Sequence, residues 1–203
     1  KISDYNKVEV ERLAQNLVKL SKGILDFDLN VAAPDEYTES EYKNFSLINE
    51  NMSQVQSAIN LLISDSNILV DAAVEGKLDT RADASKHSGD FAKIVDDVNK
   101  TLDAVINPLN VAAEYVDRIS KGDIPAKITD NYNGDFNEIK NNLNMCIDAV
   151  NLLVDDAKML ADAAVVGRLN TRADASKHLG DFREVVSGVN NTIGTLVGLI
   201  DNM

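Results

Sequence analysis

The sequence predicts an all-α protein built from repeated pairs of helices that run in the same direction. Three observations lead to this fold class: an internal repeat, apolar residues spaced 3.5 residues apart, and glycines followed by long connectors. Residues 72–91 and 163–182 are identical at sixteen of twenty positions, at an offset of 91 residues. Such a repeat indicates several copies of one structural unit rather than a single core around an active site.

Apolar and small residues recur along the chain in steps that alternate between four and three. One of three long series begins at Phe91 and passes through Val95, Val98, Leu102, Val105, Leu109, Ala112, Val116 and Ile119. Similar series begin at Phe45 and Phe136, and shorter ones begin at Val10 and Phe182. This spacing is that of a left-handed coiled coil. Each long series spans about 30 residues, or about 45 Å of helix.

Each long helix is predicted to end at a glycine that is followed within two places by a hydrophobic residue. The glycines are Gly23, Gly76, Gly122 and Gly167, and the hydrophobic residues are Ile24, Leu78, Ile124 and Leu169. The next helix opens 14 or 15 residues after the last three glycines, and 22 residues after the first. Such connectors are too long for a tight antiparallel turn. A chain of this length can reach about 45 Å, enough to return along one helix and start the next beside it.

Composition restricts the possible partners. The chain has 20 Lys and Arg against 33 Asp and Glu, a formal net charge of −13, which disfavours nucleic acids and anionic membrane surfaces. No run approaches 18 apolar residues, so we expect no direct membrane contact. Cys146 is the only cysteine, which excludes an intrachain disulfide and fits a reducing, cytoplasmic compartment. Because the chain begins at Lys1, we expect it to be part of a longer protein.

Residues 107–150 resemble the HAMP domain, the signal-relay module of bacterial and archaeal transmembrane receptors. Pro108 stands at the start of the first helix of this segment, where a missing N–H costs no helical hydrogen bond. The HAMP pattern continues with a glycine that closes the first helix, here Gly122. Two hydrophobic anchors follow in the connector, Ile124 and Ile128, and an acidic residue, Asp135, opens the second helix.

Three other segments resemble the same domain. Residues 62–106 match through Gly76, Leu78 and Asp90, with Ala82 as second anchor, and residues 153–197 match through Gly167, Leu169 and Asp181, with Ala173 as second anchor. Residues 8–60 match more loosely through Gly23, Ile24 and Phe45. We call residues 8–60, 62–106, 107–150 and 153–197 the first to fourth repeats.

The resemblance implies an elongated, parallel homodimeric coiled coil of stacked four-helix bundles. Each chain would contribute two parallel helices per repeat, joined by an extended connector. The residues expected in the dimer core are Phe91, Val98, Leu102, Phe136, Leu143, Cys146 and Phe182. At such a position the Cys146 thiol is expected to be buried and inert. The unbroken apolar series across residues 102–109 and 150–157 independently indicate that each second helix continues into the next repeat.

The resemblance further implies a relay function like that of the cytoplasmic arrays of methyl-accepting chemotaxis receptors. The expected partners are a second copy of the chain, a downstream output domain of the same chain and, indirectly, a kinase complex. The segment would lie in the cytoplasm as part of a membrane-associated receptor. Three alternatives stay open: a relay in a sensor histidine kinase or cyclase, a ligand-sensing helical module that binds a small molecule or haem, and a passive spacer.

No residue pattern predicts catalysis, a cofactor or a metal site, so we expect no enzyme activity. His87 and His178 occupy equivalent places in the sequence DASKH, but no cysteine or second histidine lies near either one. Metal sites need several ligands at workable spacing, so we expect polar connector histidines instead. The acidic pairs 96–97 and 155–156 are expected to be solvated helix faces.

Overall fold

The computed structural model describes residues 1–202 and confirms the all-α prediction for them. Five helices are joined by extended connectors, two of which contain a short 3-10 turn. The helices are α1 (Ile2–Ser21), α2 (Glu39–Val74), α3 (Gly89–Ser120), α4 (Gly134–Val165) and α5 (Gly180–Asp201). The chain divides into two compact units, the first comprising Lys1–Ala104 and the second beginning at Val105.

The first four helices end in the same pair of backbone hydrogen bonds. At the end of α2, the N–H of Gly76 donates to the carbonyl of Ala73, and the N–H of Lys77 donates to that of Ala72. Gly76 has a φ of +76°, a conformation that L side chains rarely adopt. The predicted closing glycines of α1, α3 and α4 make the equivalent bond and also have positive φ.

In the first compact unit, the connector after α1 turns back along that helix. Its Asp28 is hydrogen-bonded to Asn16, and its Ala32 accepts a hydrogen bond from the Tyr5 hydroxyl. Contacts between α1 and α2 follow the same order along both helices. The ring centroid of Tyr5 lies 6.2 Å from that of Phe45, and farther along both helices Arg12 donates a hydrogen bond to Asn49.

The second compact unit has a small apolar core between α4, its connector and α5. Leu160, Ala173 and Val186 are buried there, and Leu153 and Ile193 pack against them. The connector between α3 and α4 runs along α4 in the direction opposite to that helix. Lys127 pairs with Asp148, and the next residue, Ile128, bonds to Asn144, which comes earlier in α4. The connector after α1 thus bonds to the helix that precedes it, whereas the connector before α4 bonds to the helix that follows it.

Pro108 lies in the interior of α3, not at a helix start, so the first-turn explanation is wrong. The reason is that α3 serves two repeats without a break: the first helix of the third repeat is the continuation of the second helix of the second. Proline cannot donate to the carbonyl four residues earlier, which here is Ala104. Pro108 therefore carries a local cost within a helix that is nevertheless continuous.

Helix α2 is long and apolar enough to cross a membrane by length and composition, with an 18-residue window of mean hydropathy 1.2. From the sequence we expected no such segment, because no run approaches 18 apolar residues. Within the same helix, however, Gln56 donates to the carbonyl of Leu25, and the buried Asp65 bonds to His87. These contacts come from connectors of the protein, which makes hydropathy weak evidence of a membrane span.

Candidate connector sites

An asparagine on the following helix makes two hydrogen bonds to the backbone in the middle of each of the last three connectors, an arrangement that we call gripping. Asn144 accepts a hydrogen bond from the backbone N–H of Ile128 at 2.8 Å and donates one to its carbonyl at 3.0 Å. Asn99 holds Ala82 in the same two-bond arrangement, and Asn190 holds Ala173, at 3.1 and 2.8 Å in both cases. The gripped residues are the second anchors of their repeats, and all three are buried.

A histidine and an aspartate tie the end of two connectors to the preceding helix. His87 Nε2 lies 2.7 Å from Asp65 Oδ2, and His178 Nε2 lies 2.7 Å from Asp156 Oδ2. Each histidine side chain is 1% exposed, against 9% for Asp65 and 18% for Asp156. The expectation of a solvated face is therefore wrong for Asp156, whereas Asp155 and the pair 96–97 are exposed.

An arginine ties the start of the same two connectors to their own backbone. Arg81 Nη1 donates to the carbonyls of Leu78 and Thr80, both at 2.7 Å. Arg172 does the same with the carbonyls of Leu169 and Thr171. The two differ in one respect, since Arg81 also pairs with Asp103 on α3.

The 3-10 turn of each of these connectors is capped by an aspartate. Asp83 Oδ1 accepts hydrogen bonds from the Ser85 hydroxyl at 2.6 Å and from the Ser85 N–H at 3.1 Å. These two bonds, the hydroxyl first, hold the pKa of Asp83 below its usual 3.8. The Ser176 hydroxyl and N–H lower the pKa of Asp174 in the same way.

The third repeat has no histidine–aspartate pair. Counting from the closing glycine and from the phenylalanine that opens the next helix, its equivalent positions carry Val111 and Tyr132. Both residues line one small cavity together with Phe136 and Ile128. A valine and a tyrosine that border one cavity thus stand where the second and fourth repeats have a buried hydrogen bond.

The first repeat holds its connector with a different polar network. Glu9, 1% exposed, accepts hydrogen bonds from Arg12 Nη2 at 2.6 Å and from the backbone N–H of Ala32 at 2.8 Å. Asn16 grips the backbone of Asp28 with two bonds, at 2.9 and 2.7 Å. Here the gripping asparagine lies on the preceding helix, which accords with the longer connector.

The predicted connector residues are distributed between buried and exposed positions. Asp90, Asp135 and Asp181 all lie in the first turn of their helices. Among the first anchors, Leu78 is exposed, whereas Ile124 and Leu169 are half-buried. In two repeats the second anchor is an alanine and not a larger apolar residue. Ala82 and Ala173 are nevertheless as buried as Ile128.

The residues predicted for the dimer core are not enclosed by the chain itself. Phe91, Leu102, Phe136 and Leu143 are half-buried, whereas Val98, Cys146 and Phe182 are exposed. The neighbour of Cys146, Ile147, is 1% exposed. The side of each helix that faces its own connector therefore overlaps the 3.5-residue series only in part, since Val95 and Leu160 of that series are buried.

Sequence reasoning missed the three gripping asparagines and the partners of the two histidines. Each asparagine stands eight residues after the phenylalanine that opens its helix, at positions 99, 144 and 190. Asparagine disfavours helix interiors, so its recurrence at one place in three repeats was an available signal. Asp65 and Asp156 lie 22 residues before their histidines, and their signal was weaker: they are identical at the offset of 91 residues within an otherwise diverged stretch.

The arrangement holds helices in position and does not assemble reactive groups. The buried polar side chains bond to connector backbone or to one another, and no group of three metal-ligating side chains occurs within residues 1–202. These contacts tie each connector to the helices beside it. That is a mechanical property of each repeat.

Comparison with known proteins agrees with this mechanical character. No curated protein matches the chain. Residues 86–152 match the HAMP domain family, and the match includes the whole of the third repeat. HAMP domains are signalling modules without catalytic chemistry, usually found in the cytoplasmic part of membrane receptors. The chain therefore contains a HAMP domain at residues 86–152, which implies a role in signal relay within a transducer protein.

Proposed function

We propose that the chain is the relay segment of a chemotaxis-type transducer, in which four HAMP-like repeats form a parallel homodimer. A displacement of helices at one end would pass from repeat to repeat to a downstream output domain, which in turn controls a kinase complex. The segment would act in the cytoplasm, on a protein anchored elsewhere in the membrane. The mechanism is conformational, so it needs two packings of similar free energy within a repeat.

An apolar groove on α4 and α5 carries the proposal of a dimer. The groove has a volume of about 520 Å³ and is open to solvent on one side. It is lined by residues of the predicted coiled-coil series, including Leu153, Ala157, Leu160, Val185 and Val189. Two helices whose series converge on one groove need a further pair of apolar helices to cover it, and a second copy supplies that pair.

The order of contacts supports parallel helices within the repeat. In the first repeat, Tyr5 meets Phe45 and Arg12 meets Asn49, so contacts ascend along both helices. In the second repeat, Asn99 holds the middle of the returning connector, and Asp65 holds its end, so that α3 begins beside the interior of α2. A dimer of such pairs would place each Cys146 opposite its counterpart across the axis.

Oxidative cross-linking of the full-length protein tests this geometry. In a parallel, in-register dimer, Cys146 should form an intermolecular disulfide, because this bond needs Cα atoms about 4.4–6.8 Å apart. The control variant carries Cys146→Ser with Met145→Cys, since Met145 is exposed but lies outside the apolar series. Equal yields of disulfide-linked dimer from the native protein and from this control, or no such dimer from the native protein, would contradict the parallel arrangement.

The identity of the output can be tested separately with labelled ATP. A chemotaxis-type transducer should leave its own chain unlabelled and change the phosphorylation of a separate, soluble kinase. Labelling of the protein's own chain would make it a histidine kinase instead. To distinguish a relay from a passive spacer, Ile128→Ala is compared with Thr129→Ala, because Ile128 is buried and Thr129 is exposed. A relay requires altered output for the first variant only.

A further inference from the structure

The buried pairs His87–Asp65 and His178–Asp156 have no part in the HAMP pattern described above. Their geometry is the same in both repeats, with Nε2 to Oδ2 distances of 2.7 Å and nearly complete burial of the imidazoles. The aspartates lie outside the near-identical block that begins at Ala72 and Ala163. Over the ten residues from 62 to 71, only four are identical to the corresponding residues 153–162, yet the aspartate is among them.

Each pair closes a chain of contacts between two helices. In the second repeat, Asn99 fixes the middle of the connector to α3, the following helix. His87 fixes the end of the same connector to Asp65 on α2, the preceding helix. The preceding helix can therefore shift relative to the following one only if a buried hydrogen bond breaks. Leaving either partner buried and unsatisfied is costly.

The third repeat lacks the second of these fixed points. Asn144 still holds Ile128 to α4, but Val111 and Tyr132 replace the aspartate and the histidine together. Apolar contact is not directional, so a valine can slide past a tyrosine ring without losing a specific bond. An ion pair between Arg118 of the preceding helix and Asp123 ties the start of this connector. Its middle is held by Asn144 of the following helix, and at its end a polar pair to the preceding helix is replaced by Val111 and Tyr132.

We propose that the histidine–aspartate pair is a latch that holds the two helices of the second and fourth repeats in one packing. The unlatched third repeat is then the one in which the two helices move relative to each other. The importance of this difference for signalling rests on the relay function proposed above. The latch itself is a property within one repeat and can be measured whether or not the protein relays a signal.

Pairs of spin labels at equivalent positions can measure the freedom of each repeat in the whole chain. The labels are placed at Asn67 and Lys93 for the second repeat, and at Ala113 and Glu138 for the third, all of which are exposed. Cys146→Ser removes the native thiol, and an excess of unlabelled protein removes distances between chains. We expect a narrower distance distribution between positions 67 and 93 than between positions 113 and 138.

Exchange of the two pairs of residues should exchange the two behaviours. Asp65→Val with His87→Tyr should broaden the distribution in the second repeat to that of the third. Val111→Asp with Tyr132→His should narrow it in the third. Asp65→Asn is the matched control, because an amide can still hydrogen-bond to the imidazole and should keep the distribution narrow.

Three results would overturn the latch. The first is an equal width in the two native repeats, and the second is a width in the second repeat that the paired replacement leaves unchanged. If that replacement unfolds the chain, as far-UV circular dichroism would show, the installed pair in the third repeat decides the question. The third result is that a folded Val111→Asp, Tyr132→His variant is no narrower than the native repeat. A chain that shows the latch but no effect on output would instead contradict the relay.

Discussion

Asparagine side chains hold the connectors through backbone groups and not through side-chain packing. Asn144 satisfies both the N–H and the carbonyl of Ile128, whose side chain is buried beneath it. A connector without regular secondary structure has to find partners for such groups elsewhere. The amide of asparagine presents one donor and one acceptor at the right separation to meet both needs at once.

Replacement of Asn144 by alanine should therefore destabilise the third repeat. The substitution leaves one N–H and one carbonyl without their partners in a half-buried position, at a cost of about 1–3 kcal/mol. Unfolding in urea, followed by circular dichroism, measures the change in free energy. Asn141→Ala on the exposed face of the same helix is the control and should change it by less than about 0.5 kcal/mol. Similar values for the two variants would contradict the role of Asn144.

The burial of the two histidines could not be predicted from their neighbours in the sequence. The charged residues nearest His87 in sequence are Asp83, Lys86 and Asp90, and none of them indicates burial, so a polar connector residue was the natural expectation. Its partner, Asp65, lies 22 residues earlier on another helix. Only the return of the connector along α2 brings the two together. The pairing depends on tertiary structure, which the spacing of a single residue type does not encode.

At the scale of the element, helix ends were the most predictable feature. The 3.5-residue series and the glycines placed the ends of α1 to α4 correctly, because a left-handed residue is needed to close such a helix. The buried face within the chain was less predictable. Ile106, Ile147 and Val186 are buried, each one position after a residue of the series. Val95 and Leu160 are also buried but belong to the series themselves, so the connectors cover residues both within the periodic stripe and beside it.

The 3-10 turn of the second connector should respond to acid through Asp83. The Ser85 hydroxyl stabilises the carboxylate and holds its pKa below 3.8, so Ser85→Ala should raise that pKa towards its usual value. Because the folded-state pKa is the lower one, this contribution to stability is present above the unfolded-state pKa. It is lost as the pH falls through the folded-state pKa.

NMR titration of the Asp83 carboxyl carbon measures the shift directly. Ser88→Ala serves as the control, since Ser88 is exposed and lies beyond the 3-10 turn. It should leave the titration of Asp83 unchanged. The native chain and the Ser85→Ala variant should also become more alike in stability as the pH falls below about 4. An identical Asp83 titration in both proteins would rule out the hydroxyl as the cause.

At the scale of the whole molecule, the exposed apolar residues of α3 show that a single chain leaves part of its apolar surface uncovered. Val105, Leu109 and Val116 are between 42% and 56% exposed, while Ile106 beside them is 8% exposed. The chain thus encloses one side of the helix here and leaves these three residues of the predicted series uncovered. In the proposed dimer, the second copy covers these residues and removes their apolar surface from water.

Leu109→Asp should therefore weaken self-association without unfolding the helix. In the single chain, the new carboxylate at this exposed position stays solvated, whereas in the dimer it would be buried without a partner. A penalty of about 1.4 kcal/mol already raises the dissociation constant tenfold, and a buried, unpaired charge should exceed that value. Sedimentation equilibrium measures the constant, and far-UV circular dichroism verifies the helix. Val165→Asp is the matched control, because Val165 is 86% exposed and lies outside the series, so it should leave association unchanged. If both variants associate as tightly as the native chain, the uncovered face of α3 is not where the second copy binds.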